Sequence, residues 1–330
     1  MSFVKVKSQV LYTLAQARGA VVSGACMAEK LKVSRNAVWK AIKALEEEGF
    51  AVESLPSSGY RLSEENNRLS EEIISAELET KALGRKIIVL DETDSTNNYA
   101  KKLSASGAEH GTAVIADCQS AGKGRLGRSF VSPKGTGIYM SVIIRPDFSM
   151  ETARLITSCV ACASAEAVES LCKAETNIKW VNDLYMNGRK ICGILTEASL
   201  SMETKALDYA VIGIGVNVLG KNVFDDELSA IATTIEAETD VKISRNSLCA
   251  QILNKLEEHL GKIEERDFLT EYRRREILTG NIITANAGEV SLTGKALGID
   301  DNAELIVQLD DGTIKSLSSG EANLCRIKKN

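Results

Sequence analysis

Residues 119–130 read QSAGKGRLGRSF, which places three glycines and three cationic side chains within twelve positions. The glycines form the pattern G-x-G-x-x-G, which in dinucleotide-binding folds connects a strand to the helix that receives a pyrophosphate. The run TAVIAD at 112–117 precedes the pattern as a strand would. However, Pro133 and two more glycines follow it, and then the β-branched run IYMSVIIRP at 138–146. No helix is expected there, so we interpret the segment as a glycine-rich loop between two strands.

The loop has the composition of a site for an anionic ligand. Its glycines allow the backbone to approach a ligand closely, and Lys123, Arg125 and Arg128 supply positive charge. A solvated basic turn would have the same composition. The loop alone therefore leaves both interpretations open.

The composition indicates a globular protein with more than one domain. A chain of 330 residues is expected to form two or three domains, and its 44% hydrophobic and 26% charged residues are typical of soluble proteins. The sequence has no run of eighteen apolar residues, and its N-terminus lacks the apolar stretch of a signal peptide. We expect a cytoplasmic protein without a membrane partner.

The cysteines and histidines argue against several kinds of chemistry. Eight cysteines are scattered along the chain, and the one C-x-x-C pair, Cys159 and Cys162, lies in a helix-like apolar run where cysteine acts as a small hydrophobic residue. The two histidines, His110 and His259, have no partner at ligand spacing. Zinc chemistry and a Ser-His-Asp triad are therefore disfavoured. Catalysis would depend on positioning, charge and a hard cation.

The first 65 residues have the pattern of a winged helix-turn-helix. Within residues 1–63, nine cations and five glutamates give a net charge of +4, which leaves −9 for the rest of the chain. Two short helices joined at LKVS are predicted, with Ser34 as the N-cap of the second. The sequence AVESLPSSGYRL at 51–62 then predicts a β-hairpin. Such a charge asymmetry suggests that this end of the chain meets a polyanion.

The second of these helices carries amide and cationic side chains away from its buried stripe of Val38, Ile42 and Leu45. A helix of this kind is suited to the major groove of DNA. The candidate DNA-binding residues are Ser34, Arg35, Asn36, Trp39, Lys40, Lys43 and, on the hairpin, Arg61. The alternative is a small packing module whose cations are merely solvated.

Residues 66–277 alternate strands and helices, and they predict an α+β domain with a mixed sheet. Helices are expected near 150–172, 227–236 and 244–262, and Asn187-Gly188 predicts a tight hairpin turn. Polar side chains concentrate at the ends of the predicted strands. Helix capping would account for one of Ser95, Thr96 and Asn97, which leaves the other two unexplained.

Residues 278–330 contain several short β runs, with a hairpin turn at Asp311-Gly312. About fifty residues of short strands suggest a small SH3-like barrel. A stabilising module without any contact to substrate is the alternative.

Four motifs behind the winged helix together resemble one family. They are DSTN at 94–97, QSAGKGRLGRSF at 119–130, KWVNDLY with GRKICGIL at 179–195, and IGIGVNV at 212–218. In this order they resemble the bacterial biotin–protein ligases that also repress the biotin operon, over essentially the full chain. The resemblance implies a central domain of the class II synthetase and biotin ligase type. It also implies biotin, ATP and Mg²⁺ as ligands, and a biotin carboxyl carrier protein, operator DNA and a second copy of the chain, on adenylate binding, as partners.

The resemblance also implies roles for individual residues. The glycine-rich loop would close over biotinyl-5′-adenylate, and Arg125 and Lys190 would be the catalytic residues. The implied biotin-binding residues are Ser95, Thr96, Asn97, Gln119, Lys123, Gly124, Arg125, Lys190 and Gly193. The implied nucleotide-binding residues are Lys123, Arg125, Phe130, Asn182, Asp183 and Asn217, with Mg²⁺ near Asp183 and Asn217. Lys123 stands where the family has arginine, so it keeps the charge but loses the planar fork that allows bidentate contact.

Two other functions fit the same scaffold. A ligand-sensing transcription factor without catalysis would need neither Arg125 nor Lys190, because the implied role of both side chains is to stabilise charge in the transition state. A ligase for lipoate would have no use for Ser95, Thr96, Asn97 and Gln119, because a dithiolane ring has no ureido group. The sequence therefore favours a biotin ligase that is also a repressor.

Overall fold

The computed structural model describes residues 3–200, 207–287 and 290–325. The outer ends of the first and last predicted domains, at 1–2 and 326–330, lie outside the described residues, as do Gly288 and Glu289 of the predicted C-terminal strands. The predicted boundaries near 65 and 277 stay predictions.

The N-terminal module contains three helices and a hairpin. These are α1 (Phe3–Gln16), α2 (Gly24–Leu31), α3 (Arg35–Glu47), β1 (Val52–Leu55) and β2 (Gly59–Leu62). Ser34 caps α3 by accepting a hydrogen bond from the backbone N–H of Ala37 at 3.1 Å, as predicted. Val38, Ile42 and Leu45 are buried against the other helices, which confirms the predicted stripe.

The central domain is built on a seven-stranded sheet with the order β3-β4-β5-β9-β8-β7-β6. Its strands are β3 (Ile87–Leu90), β4 (Ala113–Ala116), β5 (Gly137–Ile144), β6 (Asn177–Lys179), β7 (Asp183–Met186), β8 (Arg189–Leu200) and β9 (Leu207–Asn217). The β3–β4 pair is parallel and the other pairs are antiparallel, so the predicted mixed sheet is confirmed. The glycine-rich loop joins β4 to β5 with only a short 3₁₀ turn at Arg125–Gly127, which excludes the dinucleotide-binding arrangement.

Two of the predicted helices were wrong in extent. The helices of the central domain are α4 (Glu71–Ala76), α5 (Thr96–Ala105), α6 (Met150–Ala153), α7 (Ile156–Cys172), α8 (Asp226–Ser229), α9 (Ile235–Thr239), α10 (Arg245–Leu260) and α11 (Phe268–Arg275). The helix predicted at 150–172 is divided into α6 and α7. The helix predicted at 227–236 is divided into α8 and α9, because Ala232 between them pairs in parallel with Lys190 of β8.

Helices cover both faces of the central sheet. On one face α7 and α10 pack over the main hydrophobic core, which includes Met140, Ile212 and Ile214. On the other face α5 packs over Ile143 and Val211. Side chains alternate between the two faces of a strand. The residues two positions away from Ile143 and from Val211 in the sequence therefore also lie on the α5 face. This face carries the cleft described below.

The C-x-x-C pair lies within helix α7, as its apolar surroundings in the sequence predicted. Cys159 and Cys162 are both buried, and burial raises the pKa of the Cys159 thiol to about 12. A thiol with so high a pKa is not reactive near neutral pH, which agrees with a purely apolar role.

The C-terminal module is a five-stranded antiparallel sheet with the order β13-β12-β11-β10-β14. Its strands are β10 (Ile282–Ala287), β11 (Val290–Ile299), β12 (Leu305–Leu309), β13 (Ile314–Leu317) and β14 (Glu321–Leu324). The predicted turn at Asp311-Gly312 joins β12 to β13, and the backbone N–H of Leu309 donates to Thr313 there. In the part of the chain that is described, β13 and β14 form the two edges and do not pair with each other.

The segment that follows the winged helix is fastened to the central domain by Arg245 at the start of α10. The Arg245 side chain is 2% exposed and donates to Asn67 Oδ1, to Asp117 Oδ1 and to the carbonyl oxygen of Gly137, at 2.7, 2.7 and 2.9 Å. Among the described residues, none of the helices is long and apolar enough to cross a membrane.

Candidate active site

The floor of the cleft is formed by three neighbouring strands on the α5 face of the central sheet. Gly213 in the middle strand pairs with Ser141 of β5 and with Leu195 of β8. Two residues further along, Gly215 pairs with Tyr139 and with Gly193. Because the central strand has glycines at these two positions, the sheet surface has a groove that larger side chains would otherwise fill.

These glycines allow two side chains to lie close above the strand. A Cβ atom on Gly213 would lie 2.3 Å from Asn97 Oδ1, and one on Gly215 would lie 2.7 Å from the Phe130 ring. IGIGVNV is one of the four family motifs, but neither of its glycines is among the predicted site residues. Their spacing of two, which puts both on one face of a strand, was the available signal.

The N-terminus of α5 forms one wall of the cleft. Ser95 is the N-cap residue of α5, as predicted, but its side chain makes no capping hydrogen bond, so capping does not account for the hydroxyl. Ser95, Thr96 and Asn97 are nonetheless buried, with side chains at the cleft. The Ser95 hydroxyl is thereby left for a ligand.

Gln119 connects this wall to the start of the glycine-rich loop. Its Oε1 accepts from the Thr96 backbone N–H at 2.8 Å and from the Thr96 hydroxyl at 3.1 Å. Its Nε2 donates to the Ser132 hydroxyl at 2.9 Å. Gln119 thus fixes both ends of the loop relative to α5.

The other end of the cleft is cationic. Arg125 donates to Asn182 Oδ1 at 3.0 Å, and Lys190 lies 2.7 Å from Asp183 Oδ1. Burial lowers the pKa of Arg125 from its ordinary value, and the nearby Asp183 carboxylate opposes that shift. A partly desolvated guanidinium interacts strongly with an anion that replaces its water.

The C-terminal module holds the loop on its outer side. Arg128 makes a bidentate ion pair with Glu321, at 2.8 and 2.6 Å. Lys179, in the strand that leads to Asn182, donates to Asn323 Oδ1 at 2.6 Å. The module therefore contacts the loop that carries Arg125, but none of its described residues lines the cleft, so the alternative without substrate contact stays open.

The structure brings most of the predicted ligand-binding residues into one cleft. Those at the cleft are Ser95, Thr96, Asn97, Gln119, Lys123, Gly124, Arg125, Phe130, Asn182, Lys190 and Gly193. Two of the predicted residues lie outside the cleft lining. Asp183 is paired with Lys190 behind it, and Asn217 is on the same face of β9 as Gly215 but two residues further along. Lining residues that sequence reasoning missed are Tyr139, Met140, Ile194, Leu195, Gly213, Ile214 and Gly215. Most of these are apolar, and their sequence pattern is that of any buried strand.

The predicted DNA-binding residues lie on α3 and on the hairpin beside it. Arg35, Asn36, Trp39 and Lys43 line a surface groove between α3 and the β1–β2 turn, and Lys40 is exposed on the same helix. The Trp39 side chain is 49% exposed, which is high for a large aromatic residue.

Two of the predicted cationic DNA contacts already have acidic partners within the protein. Arg61 forms an ion pair at 2.7 Å with Glu53, which lies directly opposite it in the hairpin. Lys43 pairs with Glu46 at 2.6 Å. Such exposed pairs are weak, so a phosphate can compete for either cation.

Comparison with known proteins agrees with this arrangement along the chain. Residues 6–61 match an HTH domain, residues 89–217 match the biotin/lipoate A/B protein ligase family, and residues 279–324 match the biotin protein ligase C terminal domain.

Similar proteins are known over nearly the whole length. The chain is 34% identical to the bifunctional ligase/repressor BirA of Bacillus subtilis, over 97% of this chain and 98% of that protein. It is 31% identical to BirA of Escherichia coli, over 95% and 96%. A solved structure of biotin protein ligase from Aquifex aeolicus in complex with biotin and ATP is similar, with a TM-score of 0.62 and 29% identity over 73% of this chain and 99% of that chain. The chain belongs to the family of bifunctional biotin ligase/repressors.

Proposed function

We propose that the protein is an ATP-dependent biotin–protein ligase that also represses transcription. It would form biotinyl-5′-adenylate from biotin and ATP, and then transfer biotin to a lysine of a biotin carboxyl carrier protein. The observation that carries this proposal is a single cleft with a polar end at Ser95 to Asn97 and a cationic end at Arg125 and Lys190.

The polar end fits the ureido head group of biotin. A ureido group has one carbonyl acceptor between two N–H donors, and all three need partners when they are buried. The Ser95 hydroxyl can donate, and the Asn97 amide lies on the floor close to Gly213. A dithiolane ring would offer no hydrogen-bond partner to the Ser95 hydroxyl or to the free lone pair of Asn97 Oδ1, which argues against lipoate as the substrate.

The cationic end fits the chemistry of adenylation. The biotin carboxylate attacks the α-phosphorus of ATP, a P–O bond to pyrophosphate breaks, and the acyl-adenylate forms. Both reactants are anions, so Arg125 and Lys190 would stabilise the charge that builds up as they approach. Lys190 would exchange its ion pair with Asp183 for an oxygen of the ligand. In the second step the carrier lysine amine attacks the acyl carbon and AMP leaves, so no nucleophile from the protein is needed.

Mg²⁺ would be carried with ATP. Asp183 supplies a carboxylate beside the cationic end, whereas Asn217 supplies a buried amide. One carboxylate with nucleotide phosphates is a common way to hold Mg²⁺, which usually keeps several waters. The ion would neutralise phosphate charge, and Asp183 is the residue that would hold it.

One assay distinguishes the three functions. The protein is incubated with ATP, with labelled biotin or lipoate, and with a carrier domain, and the carrier is analysed by mass spectrometry. A biotin adduct on one carrier lysine is the expected result. A lipoyl adduct would identify the alternative ligase, and binding without any adduct would identify a sensor.

A substitution in the floor tests where the ligand lies. Gly213→Ala is expected to raise KM for biotin by about 5- to 150-fold, because the added methyl group would crowd Asn97 at the polar end, and overpacking costs about 1–3 kcal/mol. KM for ATP should change much less, since the polar end receives biotin. Both constants are measured by pyrophosphate release. An unchanged KM for biotin would contradict the proposed floor.

The winged helix would bind operator DNA through α3. Lys40→Ala is expected to weaken binding to all DNA sequences alike and to reduce the slope of log K against log salt by about 1, because one phosphate contact is lost. Titration by fluorescence anisotropy at several salt concentrations measures the slope. Lys315→Ala, an exposed lysine of the C-terminal sheet, is the control. Equal slopes in the two variants would argue against α3 as the DNA-binding element.

We infer further that the protein forms a homodimer when the adenylate is bound, and that two winged helices then match a two-fold operator. Support comes from family membership and from the single winged helix of each chain. A gel shift with operator DNA, with and without biotinyl-5′-adenylate, tests the dependence on ligand, and sedimentation under the same conditions tests the dimer.

Two finer predictions also remain proposals. The C-terminal sheet is proposed to be SH3-like, which is supported by its five short antiparallel strands. A cytoplasmic location is proposed because both of the proposed partners, operator DNA and the carrier protein, are found there.

A further inference from the structure

Glu197 lies just beyond the polar end of the cleft and is not one of the residues that line it. It is on β8, on the same face as Gly193 and Leu195. Its carboxylate accepts from Lys101 Nζ at 2.7 Å and from Asn97 Nδ2 at 2.9 Å. No role for it follows from the sequence motifs.

The carboxylate determines which way the Asn97 amide points. Asn97 Nδ2 donates to Glu197 and to the carbonyl oxygen of Leu195, at 2.9 and 3.3 Å, so both of its hydrogens are used. If the amide were reversed, its oxygen would face the carboxylate, and neither group could donate. The side chain is therefore held with Oδ1 on the opposite side.

A buried hydroxyl supports the same orientation. Ser141 is 0% exposed, and its Oγ lies 2.6 Å from Asn97 Oδ1 and 2.8 Å from Thr96 Oγ1. Oδ1 is also the Asn97 atom nearest to the position of a Cβ on Gly213, at the cleft floor. An amide oxygen has two lone pairs, so after Ser141 it can accept one more hydrogen bond.

The surroundings keep Glu197 ionised. Burial alone would raise its pKa, but hydrogen bonds from Lys101 and Asn97, together with the charges of Lys101 and Lys123, bring the pKa below its ordinary value. An ionised carboxylate is acceptor-only, which is the property that fixes the amide.

We propose that Glu197 is a positioning residue that sets ligand specificity: through Asn97 it presents an acceptor at the polar end, and so selects a head group that has an N–H donor there. The inference rests on the proposed function, and it adds a residue that acts through Asn97 without touching the ligand. The competing explanation is that Glu197 only anchors α5 through its ion pair with Lys101.

Two variants separate these explanations. Glu197→Gln keeps the shape but can donate, so the Asn97 amide is free to reverse. Lys101→Met removes the same ion pair but leaves the carboxylate, which stays ionised at pH 8 because the usual pKa of glutamate is about 4.3. Adenylation is measured at pH 8 with biotin and with an analogue in which one ureido N–H is replaced by oxygen.

For Glu197→Gln we expect KM for biotin to rise about 10- to 100-fold, with kcat and KM for ATP within about twofold, because one buried hydrogen bond is mispaired. The preference for biotin over the analogue should fall at least about tenfold. Lys101→Met should keep the wild-type preference, and Glu197→Asp should recover part of it. Thermal unfolding of each variant identifies any that do not fold.

The outcomes are distinct. If Glu197→Gln folds and keeps the wild-type preference, or if Lys101→Met loses it equally, Glu197 is only an anchor and the inference is wrong. If the wild-type protein forms no biotinyl-adenylate, the proposed function itself is wrong and the inference falls with it. A loss of preference confined to Glu197→Gln supports the inference.

Discussion

Lys190→Ala is expected to reduce the rate of biotinyl-adenylate formation by about 10²–10³-fold, which is the usual effect of removing one group that stabilises transition-state charge. The variant should remain folded, because the backbone N–H and carbonyl of Lys190 pair with Ile231 and Thr233 whatever the side chain. Loss of the ammonium group also removes a positive charge that offsets the Asp183 carboxylate near the phosphates, which adds repulsion.

Single-turnover kinetics with labelled ATP measure this rate directly. Lys315→Ala, far along the chain in the C-terminal sheet, is the control for loss of a lysine. Adenylate formation at the normal rate in Lys190→Ala would place this residue outside the reaction.

Arg125→Gly is expected to release the adenylate. The Arg125 guanidinium reaches from the loop to Asn182 on the opposite wall, so its removal detaches the loop from that wall. A hydrogen bond to a charged group contributes about 1.5–3 kcal/mol, so retention of the adenylate should fall by about 10- to 150-fold. Free adenylate then acylates exposed lysines on other proteins, because the closed loop no longer shields it.

The measurement is biotin incorporation into a bystander protein, compared with incorporation into the carrier domain in the same reaction. The expected result is a higher bystander signal for each adenylate formed, because loss of Arg125 should also slow adenylation. If labelling stays confined to the carrier lysine, the loop does not retain the intermediate.

Much of the architecture follows from local sequence signals. Asn187 and Gly188 have φ of +49° and +80°, which confirms the tight turn that their identities predicted. Pro133 and the glycines around it correctly excluded a helix after the glycine-rich loop. The helix predicted at 227–236 failed because Ala232 pairs with Lys190, a contact that depends on tertiary structure and is invisible in a local pattern.

The candidate site was predictable where its residues are polar and unusual for their position. Ser95, Gln119 and Lys190 are recognisable as residues at strand or helix ends. Gly213 and Gly215 were harder, because only the register of three strands shows that they form one floor. Glu197 could not be found, since its role depends on the direction of the Asn97 amide.

The position of Phe130 has a consequence for the kinetics of ligand entry. Its ring rests so close to Gly215 that even a methyl group has no room between them. A ligand that extends from the polar end to the cationic end must pass Gly215, so it can be seated only after the Phe130 ring has moved. The observed rate constant for association should then reach a plateau at high biotin concentration. The plateau equals the rate constant with which the Phe130 ring moves away.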